Sequence, residues 1–463
     1  MNSYPIRKLV DVMGGELLSG EDNLLMEAGV STDTRNLTPG ALFFALTGEN
    51  FDAHDFLNEA VSAGAGGVVV DRFSDESLDF GDCALIKVDD TLIALQKLAR
   101  WYRGELDVVV VGITGSNGKT TTKDLTASVI GQRYQVHATS GNLNNHIGLP
   151  LTVLEADDDD DVLVLEMGMN HPGEIAPLCE IAQPQIGIIT NIGHAHIEFM
   201  GSREAIAEEK GALARALPEV GTLLMTAGCD FADYFSSRSP ARSVSVGNGR
   251  GVIRAEALHS TKTGSEFELV IDEEKSSQVQ LGVPGRHMVN NALLAAGAGW
   301  VLGLSPDELS SGLELVRLTS GRLRCFDYEG VTVFDDTYNA NPDSMKAAIR
   351  VVAELPIDNG CARTVVLGMM GELGRFSEEM HYQIGVQAAQ QNLGVVSVGA
   401  EAAAIAEGAK SLGASLVEHF DQYQDAVEWL QETIKIGDVV LFKGSRKAAV
   451  ERVMNGVFPQ NIS

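Results

Sequence analysis

Four short apolar runs in this chain each stop at side chains suited to chemistry. Val108–Val111 leads into a glycine loop, and Val162–Leu165 ends at Glu166. Ile186–Thr190 gives way to Asn191, His194 and His196, and Val331–Phe334 to Asp335 and Asp336. Open parallel sheets bind ligands outside the carboxyl ends of their strands. The pattern therefore predicts an α/β protein whose strands alternate with helices and whose functional groups share one sheet edge.

The 463 residues are enough for about three domains. Three blocks follow: residues 1–106, mixed strands and helices ending in a helix over Thr91–Arg103; residues 107–318; and residues 319–463, plain from Gly321 onward. Strands are expected in the last block at Val331–Phe334, Thr364–Leu367, Val395–Val398 and Val439–Phe442. Alternation within 242–283 predicts antiparallel strands.

The formal charge is 34 − 64 = −30, which opposes binding to nucleic acid or an anionic membrane. No apolar run is long enough to span a bilayer. The first fifteen residues, broken by Arg7, Lys8 and Asp11, hold no secretory core. Five widely spaced cysteines argue against a disulfide framework and fit a cytoplasmic protein. The run Asp157–Asp161 is expected to be a solvated turn.

The glycine loop reads Gly112-Ile-Thr-Gly-Ser-Asn-Gly-Lys-Thr-Thr-Thr122. A strand before it and a helix over Thr121–Ile130 supply the context of a phosphate-binding loop. Glycines let consecutive N–H groups point inward, and the helix N-terminus adds positive potential. Lys119 supplies a charge for the β/γ-phosphates, and Thr120 and Glu166 supply oxygens for Mg²⁺. Ile113 stands where the general pattern wants glycine. A glycine-rich turn without phosphate chemistry is the competing reading.

Downstream, Ser202 is placed to cap a helix running to about Leu217. Ile206, Lys210 and Leu213 then share its apolar stripe. A lysine there must snorkel, pair with an acid or be chemically changed. His194 and His196 lack further ligands for zinc, so one histidine contacting a metal or phosphate is the preferred reading.

These motifs, in order, resemble the Mur ligases across nearly the whole chain. They include Ser31-Thr-Asp-Thr-Arg35, Thr114–Lys123, Asn142-Leu-Asn144, Glu166-Met-Gly-Met-Asn170, Asn191 to Lys210, His287-x-x-x-Asn291, Gly321-Arg322, Asp336-x-Tyr-Asn-Ala-Asn-Pro342 and Lys443-Gly-Ser-Arg446. The resemblance implies a uridine-nucleotide domain, a central ATP domain with a mostly parallel sheet, and a Rossmann-like domain closing over the incoming amine. It is nearest to members that join D-alanyl-D-alanine to UDP-N-acetylmuramoyl-tripeptide through an acyl phosphate, and it implies ATP and paired Mg²⁺ as requirements of a monomeric enzyme. It assigns ATP to Thr114, Gly115, Ser116, Asn117, Gly118, Lys119, Thr120, Thr121, Asn291, Arg322 and Asp336. It assigns metal to Thr120, Glu166 and His196, and a carbamylated side chain to Lys210; Lys119 joins Glu166, His196 and Lys210 as catalytic. Ser31, Thr32, Arg35, Thr47 and Gly48 would meet the uridine nucleotide, with Asn142 and Asn144 in the inter-domain cleft.

The chain departs from the family at three points. Met369-Met370 stands where Asp-Met is common, Asp52-Ala53-His54 replaces Asp-Gly-His, and Arg324 adds a charge near Arg322. A sibling ligase adding a single amino acid, and a P-loop switch without ligase activity, are the rival functions. No Asp-Asn-Pro-Arg signature supports the sibling, and a switch would not need Lys210 or His196. From the loop alone, Lys119→Ala is expected to abolish ATP turnover while leaving the circular dichroism spectrum unchanged. Retained turnover would contradict a phosphate role.

Overall fold

The structure is a computed structural model that describes residues 1–48, 50–73, 79–272 and 275–459. Among the described residues three large sheets succeed one another along the chain, beside a two-stranded antiparallel pair of Tyr4–Pro5 with Leu25–Met26. Residues 16–87 form a five-stranded sheet in which Val30–Ser31, Leu42–Phe44, Gly67–Val70 and Ala84–Lys87 run parallel and Glu16–Ser19 antiparallel. Residues 324–443 form a six-stranded sheet, parallel apart from the edge strand Arg324–Tyr328.

The central sheet has nine strands among the described residues. Strand Val109–Thr114 lies inside it, between Val162–Glu166 and Ile186–Ile189. From this strand the chain crosses one way, through helix Lys119–Ile130, to edge strand Val136–Ala138. It later passes the other way, from Val162–Glu166 to Ile186–Ile189. Right-handed crossovers in opposite directions put their helices on opposite faces. Lys119–Ile130 packs with Arg286–Val301, and Ile175–Ala182 with Arg203–Ala216. The reversal opens a crevice beyond Thr114, where the glycine loop sits.

The strands arise from β-branched runs buried on both faces: every residue of Val162–Glu166 is buried. Such continuous runs suit a sheet covered by helices on both sides. Ile113 is fully buried within its strand, paired with Glu166 and Ile188. It belongs to the sheet, so the functional loop is only Gly115–Gly118.

The antiparallel expectation for 242–283 needs correcting. Arg242–Asn248 runs parallel to both Thr222–Thr226 and Ile253–Ser260, and only Ser265–Ile271 and Lys275–Leu281 continue antiparallel. Gly249 and Gly251 take left-handed φ of 67° and 101°, and Val252 N–H donates to the Ser245 carbonyl. The chain thus steps sideways instead of folding a hairpin. Alternation reports which face a side chain occupies, not strand direction.

Asp157–Asp161 is a turn: Asp159 N–H donates to the Asp157 carboxylate and Gln135 N–H to that of Asp161. Among the described residues, no helix is long and apolar enough to cross a membrane.

In the third sheet's layer, helices Ser377–Gln390 and Ala403–Ser411 meet through glycines. A Cβ at Gly385 would lie 1.8 Å from the Ile405 carbonyl oxygen, and one at Gly408 2.0 Å from that of Tyr382. Both obstacles are backbone, so neither can swing aside. Gly385→Ala is expected to cost about 1–3 kcal/mol or more in urea unfolding; an unchanged midpoint would contradict this packing.

Candidate active site

Helix Lys119–Ile130 begins two residues earlier than the sequence suggests, because Gly118 caps it at φ 79°. Lys119 and Thr120 therefore sit in its first turn, whose N–H groups have no intrahelical partner. Gly118 has a second constraint: a Cβ there would lie 2.8 Å from the Asn291 amide. The loop is braced from behind. Ser116 N–H donates to the Asn191 carbonyl and Asn117 N–H to its side chain (2.9 and 3.0 Å), while Gly193 N–H donates to Ser116 Oγ.

The loop opens on a cleft of about 900 Å³. Ser116–Thr121, Asn142, Asn144, Glu166, His196, Asn291, Arg322 and Asp336 all line it. Thr114 and Gly115 do not. The Thr114 hydroxyl donates to the Met167 carbonyl, and the Gly115 carbonyl accepts from Lys119 Nζ at 2.9 Å. Burial lowers the Lys119 pKa, against the pull of Glu166.

Glu166 is 2% exposed. Its Oε1 accepts from Asn144 Nδ2 at 2.8 Å, while Oε2 is buried without a partner. A desolvated carboxylate oxygen left unpaired costs several kcal/mol. The Thr120 hydroxyl, in the same cleft, accepts from Arg322 Nη2 at 3.1 Å. A carboxylate, a hydroxyl and room for water suit Mg²⁺, which keeps part of its hydration shell.

Helix Arg203–Ala216 starts at Ser202, whose side chain accepts from Ala205 N–H. Its buried stripe includes Ile206, Lys210 and Leu213, as the periodicity predicts. Lys210 is 0% exposed and its Nζ has no hydrogen-bond partner. Burial drives its pKa well below the ordinary lysine value; Lys119 pushes the same way, while Glu209 and Glu166 oppose. The snorkelling reading is excluded, and among the described residues no carboxylate salt-bridges it.

The third domain supplies the far wall. Arg322 lies 4.0 Å from the Tyr338 ring centroid, while Arg324 is exposed on the sheet edge, so Arg322 is the arginine in the cleft. Asp336 accepts from Lys443 Nζ at 2.6 Å and from Leu323 N–H. His287, on the central domain's helix Arg286–Val301, lines the cleft beside it, its pKa lowered to about 4 by burial. Met369 lines the cleft where an acid is common, so no carboxylate is offered at that point.

Of the two histidines, His196 faces the cleft. His194 instead docks the third domain: its N–H donates to Asp343 at 2.7 Å, with the ring 3.2 Å from the same carboxylate. Asn341 Nδ2 donates to Asn117 Oδ1 at 2.7 Å, tying the third domain to the loop itself. Glu372 and Asp343 were given no role by sequence, and Lys443 was noted only as the start of the Lys443–Arg446 motif. Each comes from chain remote from the loop, though Lys443 and Glu372 follow apolar runs as Glu166 does.

The residues expected at the uridine nucleotide lie elsewhere. Ser31 ends one strand and Thr47–Gly48 follow its parallel neighbour, so their positions converge at one edge of the first sheet. Arg35 is largely exposed and holds the Asp33 carboxyl at about 2. Arg72, not foreseen, donates to Thr47 Oγ1 at 3.2 Å. Ala53 lies in a 3₁₀ turn capped by Asp52, without left-handed φ, so glycine is not required there.

A phosphate-type loop at the reversal of a parallel sheet, faced by cationic side chains from a second α/β layer, defines a P-loop nucleotide-binding enzyme. Family models narrow this. Those described as Mur ligase family, catalytic domain; Mur ligase middle domain; and Mur ligase, glutamate ligase domain match residues 28–103, 113–299 and 321–446. The chain belongs to the Mur ligase family. It is 36% identical over 464 residues to the UDP-N-acetylmuramoyl-tripeptide–D-alanyl-D-alanine ligase of Bacillus subtilis, covering 99% of each chain. To the Escherichia coli enzyme of that name it is 38% identical over 466 residues, again covering 99% of each. MurF from Acinetobacter baumannii superposes with a TM-score of 0.90 at 31% identity, covering 99% of this chain and 100% of that one. MurF from Thermotoga maritima in complex with ADP gives 0.83 at 29%, covering 93% and 96%.

The Lys210 environment has a thermodynamic consequence. A lysine whose folded-state pKa is depressed binds fewer protons folded than unfolded, so stability rises with pH up to the unfolded value of about 10.4. Lys210→Met is expected to stabilise the bicarbonate-free protein at neutral pH, with the advantage shrinking as pH approaches 10. Thermal melts across that range test it; a destabilised variant at neutral pH would contradict an unpaired, desolvated amine.

Proposed function

We propose that this chain is an ATP-dependent ligase joining D-alanyl-D-alanine to UDP-N-acetylmuramoyl-tripeptide. The peptide's terminal carboxylate oxygen attacks the γ-phosphorus of ATP, and the bond to the ADP oxygen breaks. The dipeptide amine then attacks the acyl carbon of the acyl phosphate, loses a proton and expels phosphate. The products are UDP-N-acetylmuramoyl-pentapeptide, ADP and phosphate. The activity belongs to peptidoglycan precursor synthesis in the cytoplasm, carried out by a monomer.

Lys119 and the amides of Gly118–Thr121 hold the triphosphate, while Ser116 and Asn117 are fixed behind them through Asn191. Asn291, Arg322 and Asp336 hold the nucleoside end, with Lys443 fixing the Asp336 carboxylate. Thr120 and Glu166 would hold one Mg²⁺ and His196 a second. When bound, these ions offset the repulsion between the triphosphate and the attacking carboxylate. Lys210 is the carbamylated residue: a neutral amine is the form that adds carbon dioxide, and burial shifts this one toward that form. Asn142 and Asn144 orient the peptide in the cleft, while Ser31, Thr32, Arg35, Thr47 and Gly48 bind the uridine diphosphate. The docked third domain excludes water from the acyl phosphate.

The observation that carries this reading is Lys119 and Glu166 lining a cleft whose far wall is the third domain, with the fully buried Lys210 behind them close enough to feel both charges. A nucleotide switch has no use for an unpaired lysine there. ADP release should require both the UDP-tripeptide and D-alanyl-D-alanine; release with single amino acids, or with no amine, would overturn the assignment. Lys210→Ala should lose activity and recover part of it with short carboxylic acids, whereas full activity without rescue would remove the carbamate.

A further inference from the structure

Residues 371–374 of the third domain press onto residues 196–198 of the central domain. Glu198 N–H donates to the Glu372 carbonyl at 3.2 Å. A Cβ at Gly374 would lie 2.9 Å from Glu198 Cγ. At the centre of the contact, His196 Nδ1 lies 2.5 Å from Glu372 Oε2. The approach is close but poorly aligned, and Nδ1 makes no in-line hydrogen bond. Both residues hold left-handed backbone without being glycine: His196 has φ 62° and Glu372 φ 58°. Such conformations are strained and persist where surrounding structure fixes them. Two of them meet face to face across a domain boundary, at the rim of the cleft.

A histidine that binds metal through one ring nitrogen generally donates its other N–H to a carboxylate, which fixes tautomer and ring orientation. The Glu372 carboxylate faces Nδ1 and leaves Nε2 as the available ligand atom. We propose that Glu372 is the positioning residue of His196, so that docking of the third domain completes the ligand set for the cation held there. The carboxylate arrives only with the domain that closes the cleft, so the second cation is bound tightly only when that domain is in place. Cation occupancy is thereby coupled to exclusion of water. This rests on His196 being a metal ligand, as assigned above.

The test is Mn²⁺ binding to the full chain, followed by electron paramagnetic resonance with a non-hydrolysable ATP analogue present. Wild type and the variants His196→Ala, Glu372→Ala and Glu372→Gln are compared. Wild type should bind a tight pair of ions, and His196→Ala should lose one. Glu372→Ala should weaken only that same ion, by about tenfold or more. Glu372→Gln, whose amide oxygen still accepts from Nδ1–H, should recover most of the loss. If Glu372→Ala binds both ions like wild type while His196→Ala loses one, the positioning role is overturned and the ligand assignment stands. If His196→Ala keeps both, the ligand assignment itself fails. Equal weakening of both ions in Glu372→Ala, or no recovery in Glu372→Gln, would reduce Glu372 to a general structural role and overturn the proposal.

Discussion

A protein of formal charge −30 that gathers two polyanions must build positive potential in one small place. Everything about the cleft follows from that constraint. Backbone N–H groups of the loop and the first turn of Lys119–Ile130 supply part of it at no cost in net charge. Lys119, Arg322 and Lys443 supply more, and Glu166 keeps a bare oxygen ready for a cation. Low dielectric around these groups strengthens each interaction with a bound triphosphate. The same burial leaves Lys210 Nζ and Glu166 Oε2 without protein partners.

The cleft belongs to neither domain alone. Asp343 reaches His194 and Gly193, Asn341 reaches Asn117, Arg322 reaches Thr120, and Glu372 reaches His196. Gly193 is part of the requirement, since a Cβ there would lie 2.2 Å from the Asp343 carboxylate. All four contacts involve segments bonded to the phosphate loop or adjoining the His196 turn. Placement of the third domain and geometry of the loop are thus mechanically linked.

Much of this was legible in the sequence, for identifiable reasons. Strand positions such as Val162–Glu166 show because a strand buried on both faces must be apolar throughout. Lys210 shows because a charge at helical spacing among Ile206 and Leu213 contradicts its own face. The resemblance to Mur ligases was carried by ordered motifs, and the family matches bear it out. Long-range pairings were not legible. Nothing near Glu372 says that it meets His196, and nothing near Asp343 says that it meets His194. The sideways step at Gly249–Gly251 was missed because side-chain alternation is the same for either strand direction. Ile113 looked like a defect in the loop because the strand's last residue cannot be fixed from pattern alone.

The central claim is that this cleft transfers the γ-phosphoryl group of ATP to a peptide carboxylate. The most direct measurement uses UDP-N-acetylmuramoyl-tripeptide labelled with oxygen-18 in its terminal carboxylate, together with ATP and D-alanyl-D-alanine. Mass spectrometry of the released phosphate should find one labelled oxygen per turnover, because that oxygen bridges carbon and phosphorus before the amine attacks. Unlabelled phosphate, with the label retained in the peptide product or exchanged into water, would contradict the account.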